Sequence, residues 1–294
     1  MSGHSAHLGV VVGVDGSASS TMAVRWAARE ATMRNVPLTL VHVLSPLAVW
    51  PPVPVPAELE RRHQEDARQV ITEAIKAAED SVREGNRPHI DSELVCAAPV
   101  PTLIDLSKEA RMMVVGCRGR DALQRTLLGS VSTGLVQHAR CPVAVIHDEA
   151  PIQLQPSQLP VLVGVDGSPA SELATAIAFE EASFRGVELV ALHAWNDADM
   201  TTVPSMDSSG LRSAAEKTLA ERLAGFQERY PDVAVHRRVV FGRPAHHLLD
   251  ESESAQLVVV GSHGRGGFAG MLLGSVGTAV VHAARVPVIV ARQH

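Results

Sequence analysis

The sequence predicts an α/β protein built twice over, as two tandem open, mostly parallel five-stranded sheets with helices on both faces. Three observations carry this reading. LGVVVGVDGSASS from Leu8 returns as LPVLVGVDGSPAS from Leu159, so one unit is written twice along the chain. Within each unit, Val-rich apolar runs alternate with stretches of helical period, as β-α-β crossovers around a sheet buried on both faces require. The 294 residues, 46% of them hydrophobic, are enough for two domains with cores of their own.

Each unit opens with an apolar run that stops at Val-Asp-Gly-Ser, where Asp and Gly punctuate a strand end. A helix follows, with small and apolar residues recurring on one face: Ala23, Val24, Ala27, Ala28 and Ala31, then Leu173, Ala174, Ile177 and Ala178. PLTLVHV from Pro37 and VELVALHA from Val187 read as second strands, carrying His42 and His193. Charged, Ala-rich helices come next, from about Glu58 to Glu84 and from about Ser208 to Arg229. Third strands follow in HIDSELV from His89 and VAVHRRVV from Val233, then a short helix, then the fourth strands MMVVG and LVVVG. A glycine-rich stretch, a last helix and the strands PVAVIH from Pro142 and PVIVAR from Pro287 close the units. The domains are therefore placed at residues 1–147 and 161–294, joined by the Pro- and Gln-rich linker DEAPIQLQPSQLP at 148–160. WPPVPVP from Trp50 has no counterpart in the second half and reads as a proline-stiffened loop.

Composition narrows the possible roles. A net charge of -6 with no dense basic run gives no electrostatic reason to expect nucleic acid. Cys96, Cys117 and Cys141 form no C-x-x-C pair, which argues against a disulfide framework or a zinc site and fits a reducing cytoplasm. The N-terminus lacks a basic n-region, and no run approaches the roughly 18 apolar residues of a membrane span. A cytoplasmic protein with no membrane insertion is expected.

The chemistry is concentrated in GCRGRDALQRTLLGS from Gly116 and GSHGRGGFAGMLLGS from Gly261. Each follows an apolar strand and spaces its glycines as G-x-x-G, nine residues, then Gly-Ser: Gly116, Gly119, Gly129 and Ser130, and Gly261, Gly264, Gly274 and Ser275. Glycine allows close approach of a ligand to bare backbone, and Ser at a helix start is a favoured N-cap beside unpaired N–H groups. Together they predict an anion pocket for phosphates. The bland alternative is a glycine-rich turn from strand to helix. No G-x-x-x-x-G-K-[ST], G-x-S-x-G or H-E-x-x-H occurs, and the first strand leads to VDGS instead of G-x-G-x-x-G. P-loop, commonest hydrolase and NAD-type readings are thereby removed, and a nucleotide at the carboxyl ends of strands remains.

The pattern G-x-x-G, nine residues, G-S, with an Asp just after the first strand, resembles the ATP-binding motif of the universal stress protein family. Nearly the whole chain is covered, as two successive family domains of the tandem type found in actinobacteria. The resemblance implies a Rossmann-like sheet of the adenine nucleotide α-hydrolase kind and two ATP sites per chain. It implies that Asp15 and Asp166 bond the ribose, that the eight motif residues cradle phosphates, and that Val43 and Ala194 meet adenine through backbone. Independently, a carboxylate at a central strand end is well placed to accept from a ribose hydroxyl, and can equally cap the next helix.

Arg118, Arg120 and Arg265 can pair with phosphate oxygens or simply stay solvated. His42 and His193 read as satisfied core histidines. Cys117 stands where the second loop has Ser262, a redox position or merely a small residue. Asp121 replaces Gly266 and brings a negative charge near the first phosphate site, so weaker affinity is expected there.

The expected function is an ATP-binding regulatory module in stress adaptation, by the resemblance in hypoxia, dormancy or growth arrest. The alternatives are an enzyme that slowly hydrolyses ATP or transfers adenylate, and a scaffold with a structural nucleotide. Phosphoryl transfer needs a cationic clamp and a metal-binding acid, and the loops hold no Lys and no duplicated acid, so no catalytic residue is assigned. Mg²⁺ can accompany ATP as counter-ion, without a protein metal site. The Val-rich last strands would lie at sheet edges, so pairing of the two halves is expected there, and the resemblance adds a homodimer.

Overall fold

The computed structural model describes residues 8–46, 55–83, 85–119, 128–147, 158–195, 208–265 and 272–292. Two compact units emerge, one from the described residues up to 147 and one from those after 158.

The first unit runs β1 (Val10–Gly13), α1 (Ala18–Arg34), β2 (Leu38–Leu44), α2 (Ala57–Glu79), β3 (Ile90–Cys96), α3 (Pro99–Leu106), β4 (Met112–Gly116), α4 (Ser130–His138) and β5 (Val143–Ile146). Its strands lie in the order β3-β2-β1-β4-β5, all pairs parallel. The second unit repeats this with β6 (Val161–Gly164), α5 (Pro169–Arg185), β7 (Leu189–Trp195), α6 (Ser208–Arg229), β8 (Val235–Phe241), α7 (Pro244–Ser252), β9 (Leu257–Gly261), α8 (Ser275–Ala283) and β10 (Val288–Ala291). Its order is β8-β7-β6-β9-β10, again parallel. In both, the chain first winds outward from the opening strand and then returns to its other side, which opens a crevice at the strands' carboxyl ends between β1 and β4, and between β6 and β9.

Burial explains the sequence pattern. Val10, Val11 and Val12 are wholly buried, as are Val161 and Val163, because helices cover both faces of these central strands. α1 packs beside α2, and α3 beside α4; α5 meets α6, and α7 meets α8. The outer strands β3 and β8 are mostly exposed, and there the sequence turns polar.

Helix ends follow local chemistry. Ser17 and Ser168 cap α1 and α5, each accepting from the N–H three residues on, and the helices end in left-handed Asn35 and Gly186. α2 stops at Glu79, short of the expected Glu84: Asp80 closes it and the Ser81 hydroxyl donates to the Ala78 carbonyl, competing with another turn. β8 begins two residues later than Val233, because the Val233 N–H turns back to the Tyr230 carbonyl.

Candidate functional site

In the first unit, β1 passes through Val14 into Asp15, and Gly16 takes a φ of 77°, a left-handed turn that glycine adopts without strain. That turn folds the chain back. The Ser17 N–H donates to Asp15 Oδ1 at 2.9 Å, and the Asp15 N–H donates to Ser20 Oγ at 3.2 Å. The Ser19 hydroxyl donates to the Arg118 carbonyl, tying the start of α1 to the loop after β4. That contact is why position 116 needs glycine: a Cβ there would lie 2.6 Å from Ser19 Oγ and 2.7 Å from the Ser19 carbonyl carbon.

The glycine loop closes on itself. The Gly129 N–H donates to the Cys117 carbonyl at 2.8 Å, and the Ser132 hydroxyl donates to the carbonyls of Cys117 and Gly129. Here the structure corrects an expectation. Ser130 and Ser275 are not N-caps; Gly129 and Gly274 hold the cap positions, and neither helix start has a side-chain cap. Glycine offers no side-chain oxygen, so no cap side chain takes up the first-turn N–H groups of α4 and α8, and the Ser stands a step inside the helix.

Asp15, Val43, Gly116, Gly119, Gly129 and Ser130 line one cleft of about 950 Å³. That lies at the upper end of the range usual for small-molecule sites. Gly119 faces Asp15, since a Cβ on it would stand 2.9 Å from Asp15 Oδ2. His42 lines the cleft while its Nδ1 donates to the Val14 carbonyl at 2.6 Å, and His193 bonds the Val165 carbonyl at 2.7 Å. Both histidines are hydrogen-bonded, but only His193 is the buried core histidine the sequence suggested; His42 is half-buried at the cleft wall.

Val43 is oriented by the lengths of the strands. β1 pairs with β2 up to Val41, whose carbonyl accepts from the Val14 N–H. Alternation then turns the N–H and C=O of Val43 to the same side, beyond the end of β1 and toward the cleft. Ala194 repeats this, because the Leu192 carbonyl accepts from the Val165 N–H. Leu44 and Trp195 face the other way, accepting from Ala97 and Gly242.

In the second unit Asp166 Oδ1 accepts from the N–H and the hydroxyl of Ser168, and Oδ2 accepts from the Arg265 N–H at 3.1 Å. Gly264 faces this carboxylate, with a Cβ there 2.6 Å from Oδ2. Gly274 donates to the Ser262 carbonyl as Gly129 does to that of Cys117, and Gly261 approaches Ala170 as Gly116 approaches Ser19. Gly261, Gly264, Gly274, Ser275 and Asp166 are thus arranged like their first-unit partners. Arg265 contributes its backbone to the loop; Arg120, Asp121, Gly266, Gly267 and Phe268, like linker positions 148–157 and Trp50–Pro54 of the proline run, lie outside the described residues.

Sequence reasoning missed the wall contributed by α2, where His63, Asp66, Ala67 and Val70 face the cleft. Their helical spacing was the available signal, but nothing local says which face of α2 meets the sheet. His63 also reaches the Ser45 carbonyl at 3.1 Å, linking α2 to the end of β2. Cys117 is buried, its N–H bonded to the Ile146 carbonyl. Among the described residues no helix is long and apolar enough to cross a membrane.

Fold and site define an α/β domain with a glycine-lined cleft at its topological switch point, whose aspartate and glycine arrangement the second unit repeats. The family model described as "Universal stress protein family" matches residues 9–147 and 159–292, and the chain belongs to that family. It is 57% identical over 286 residues to universal stress protein Rv2005c of Mycobacterium tuberculosis, covering 97% of both chains. It is 56% identical over 294 residues to universal stress protein Rv2623 of the same species, covering 100% of this chain and 99% of that one. Among solved structures, a universal stress protein from Archaeoglobus fulgidus matches with a TM-score of 0.71 at 22% identity, covering 98% of this chain and 99% of that one, a likeness of fold.

Proposed function

We propose that each unit binds one ATP and that the chain acts as a nucleotide-dependent regulatory module in stress adaptation, under hypoxia, dormancy or growth arrest. One observation carries this reading: a strand-end carboxylate, bare glycine backbone and an uncapped helix start converge on one cleft. Phosphates would lie against the N–H groups at Gly129–Ser130 and Gly274–Ser275, the ribose against Asp15 and Asp166, and adenine against the backbone of Val43 and Ala194. A carboxylate has about four acceptor positions, so the loop bonds leave Asp15 capacity for a ribose hydroxyl. Mg²⁺ enters as counter-ion to the phosphates. Binding, rather than turnover, is the main activity in this reading, with slow hydrolysis a by-product. Cytoplasmic residence, pairing of the halves through their last strands and a homodimer belong to the same proposal.

The test is to denature the purified chain, identify and count the released nucleotide, and repeat after incubation with Mg²⁺. About two ATP per chain that remain ATP are expected for two binding sites. Gly119→Ala and Gly264→Ala each push a methyl group onto the facing carboxylate and should each remove one nucleotide; full content in both variants rejects the site. Steady conversion to ADP or AMP would instead make the protein an enzyme.

A further inference from the structure

The two units differ at the end of their second strands. Leu44 ends β2 and lines the first cleft together with His42. The matching pair in β7 is Trp195 and His193. The His193 ring reaches the carbonyl of Val165, the residue before Asp166. Residues two apart share a face of a strand, so Trp195 projects from the same face as that histidine, one step nearer the strand's carboxyl end.

Trp195 has a partner of the same kind. It pairs in register with Phe241 of β8, and the rings meet edge to face with centroids 4.7 Å apart and planes at 63°. Cys96 holds the equivalent place in β3. Trp195 is 9% exposed, whereas Phe241 is 53% exposed. The Gly242 N–H bonds the Trp195 carbonyl at 2.7 Å, and Gly242 and Arg243 follow in left-handed conformations. A non-glycine residue at positive φ is strained, and the double turn redirects the chain straight after Phe241. In a chain with only 3% aromatic residues, a braced pair with one open ring at the ligand end of the sheet offers a π-face for a planar partner.

We propose that Trp195 and Phe241 form an aromatic platform for the purine base of the nucleotide in the second unit, where the first unit presents an aliphatic wall. The inference rests on the ATP-binding reading. It assigns the second cleft base recognition by stacking in addition to backbone contact at Ala194, and it makes the two sites chemically unequal.

The experiment uses the full chain with Trp26 and Trp50 replaced by Phe, so that Trp195 is the remaining one of three tryptophans. ATP should change Trp195 emission saturably. Phe241→Ala, a change at an exposed site, should weaken the fluorescence-detected ATP affinity about ten-fold, and Phe241→Tyr should restore it. Inorganic tripolyphosphate, which carries the charges without a base, should bind wild type and Phe241→Ala within about two-fold by calorimetry. Equal losses for ATP and tripolyphosphate, or a silent Trp195 in a chain that holds two ATP, overturns the platform alone. A chain that binds no ATP in either unit overturns the nucleotide reading, and the platform with it.

Discussion

In the first unit the Ser132 hydroxyl pins the glycine loop by donating to two carbonyls, whereas the second unit has Gly277 at that place, where a Cβ would already crowd the Gly261 carbonyl oxygen at 3.3 Å. The carboxylates differ in the opposite sense. Ser168 gives Asp166 both its N–H and its hydroxyl, while Ser17 gives Asp15 only its N–H and leans toward Ser19 and the Arg118 carbonyl. Asp15 therefore keeps more acceptor capacity than Asp166, and Leu44 ends β2 where Trp195 ends β7. The comparison teaches that the backbone cradle tolerates no drift, because glycine spacing sets where N–H groups point, while the side chains bracing and walling it can diverge.

The largest test of that equivalence lies in the last turns of α1 and α5, away from the cradle. Glu30 and Glu181 are fully buried and paired with Arg34 and Arg185, whose side chains are 2% and 10% exposed. Removing one partner takes an ion pair from a fully buried carboxylate, so Arg34→Met should lower stability by about 3 kcal/mol in urea titration, and Arg185→Met by less because its site is wetter. Equal losses would show that this small difference in exposure does not matter.

Gly116→Ala should follow at about 2 kcal/mol of lost stability, since the new methyl group meets Ser19 backbone that cannot rotate away. Gly261→Ala should cost less, its nearest atom being the Ala170 carbonyl carbon at 2.9 Å against 2.6 Å for Ser19 Oγ in the first unit. Thermal melts of the two variants order them directly.

A pH dependence should separate the units next. Burial pushes the Cys141 thiol up from 9.0 to about 12, and the second unit has Val286 at that place. The raised value means the contribution is whole below the unfolded pKa near 9 and is lost as pH climbs toward 12. Relative to Cys141→Ala, the wild-type chain should lose about 1.4 kcal/mol of stability per pH unit within that window. Parallel curves for the two proteins from about pH 8 to 10 would remove the thiol as the cause.

The smallest expected difference concerns the carboxylates. Asp166→Ala should destabilise its loop by about 1 kcal/mol more than Asp15→Ala, one net hydrogen bond from Ser168 being the difference. Hydrogen exchange at Ser17 and Ser168 would read it locally, and equal protection losses would contradict it.

The strands were legible because their cause is local: wholly buried β1 and β6 must be apolar throughout, and outer β3 and β8 need not be. The cradle was legible as spacing, though Ser130 and Ser275 were misplaced by one step, because a serine beside a helix start looks like a cap whether or not the preceding glycine has taken that position. His63 and Asp66 escaped because a helix's polar residues carry no mark of what they face.

By itself, then, the sequence determined the duplicated α/β unit, its strand order of appearance and the glycine and aspartate positions, all of which follow from periodicity and backbone conformation over a few residues. Only the tertiary structure decided which side of β2 opens into a cleft and that Phe241 comes to rest on Trp195. Those depend on where one strand ends beside another, and that register is set by packing between segments distant in the chain.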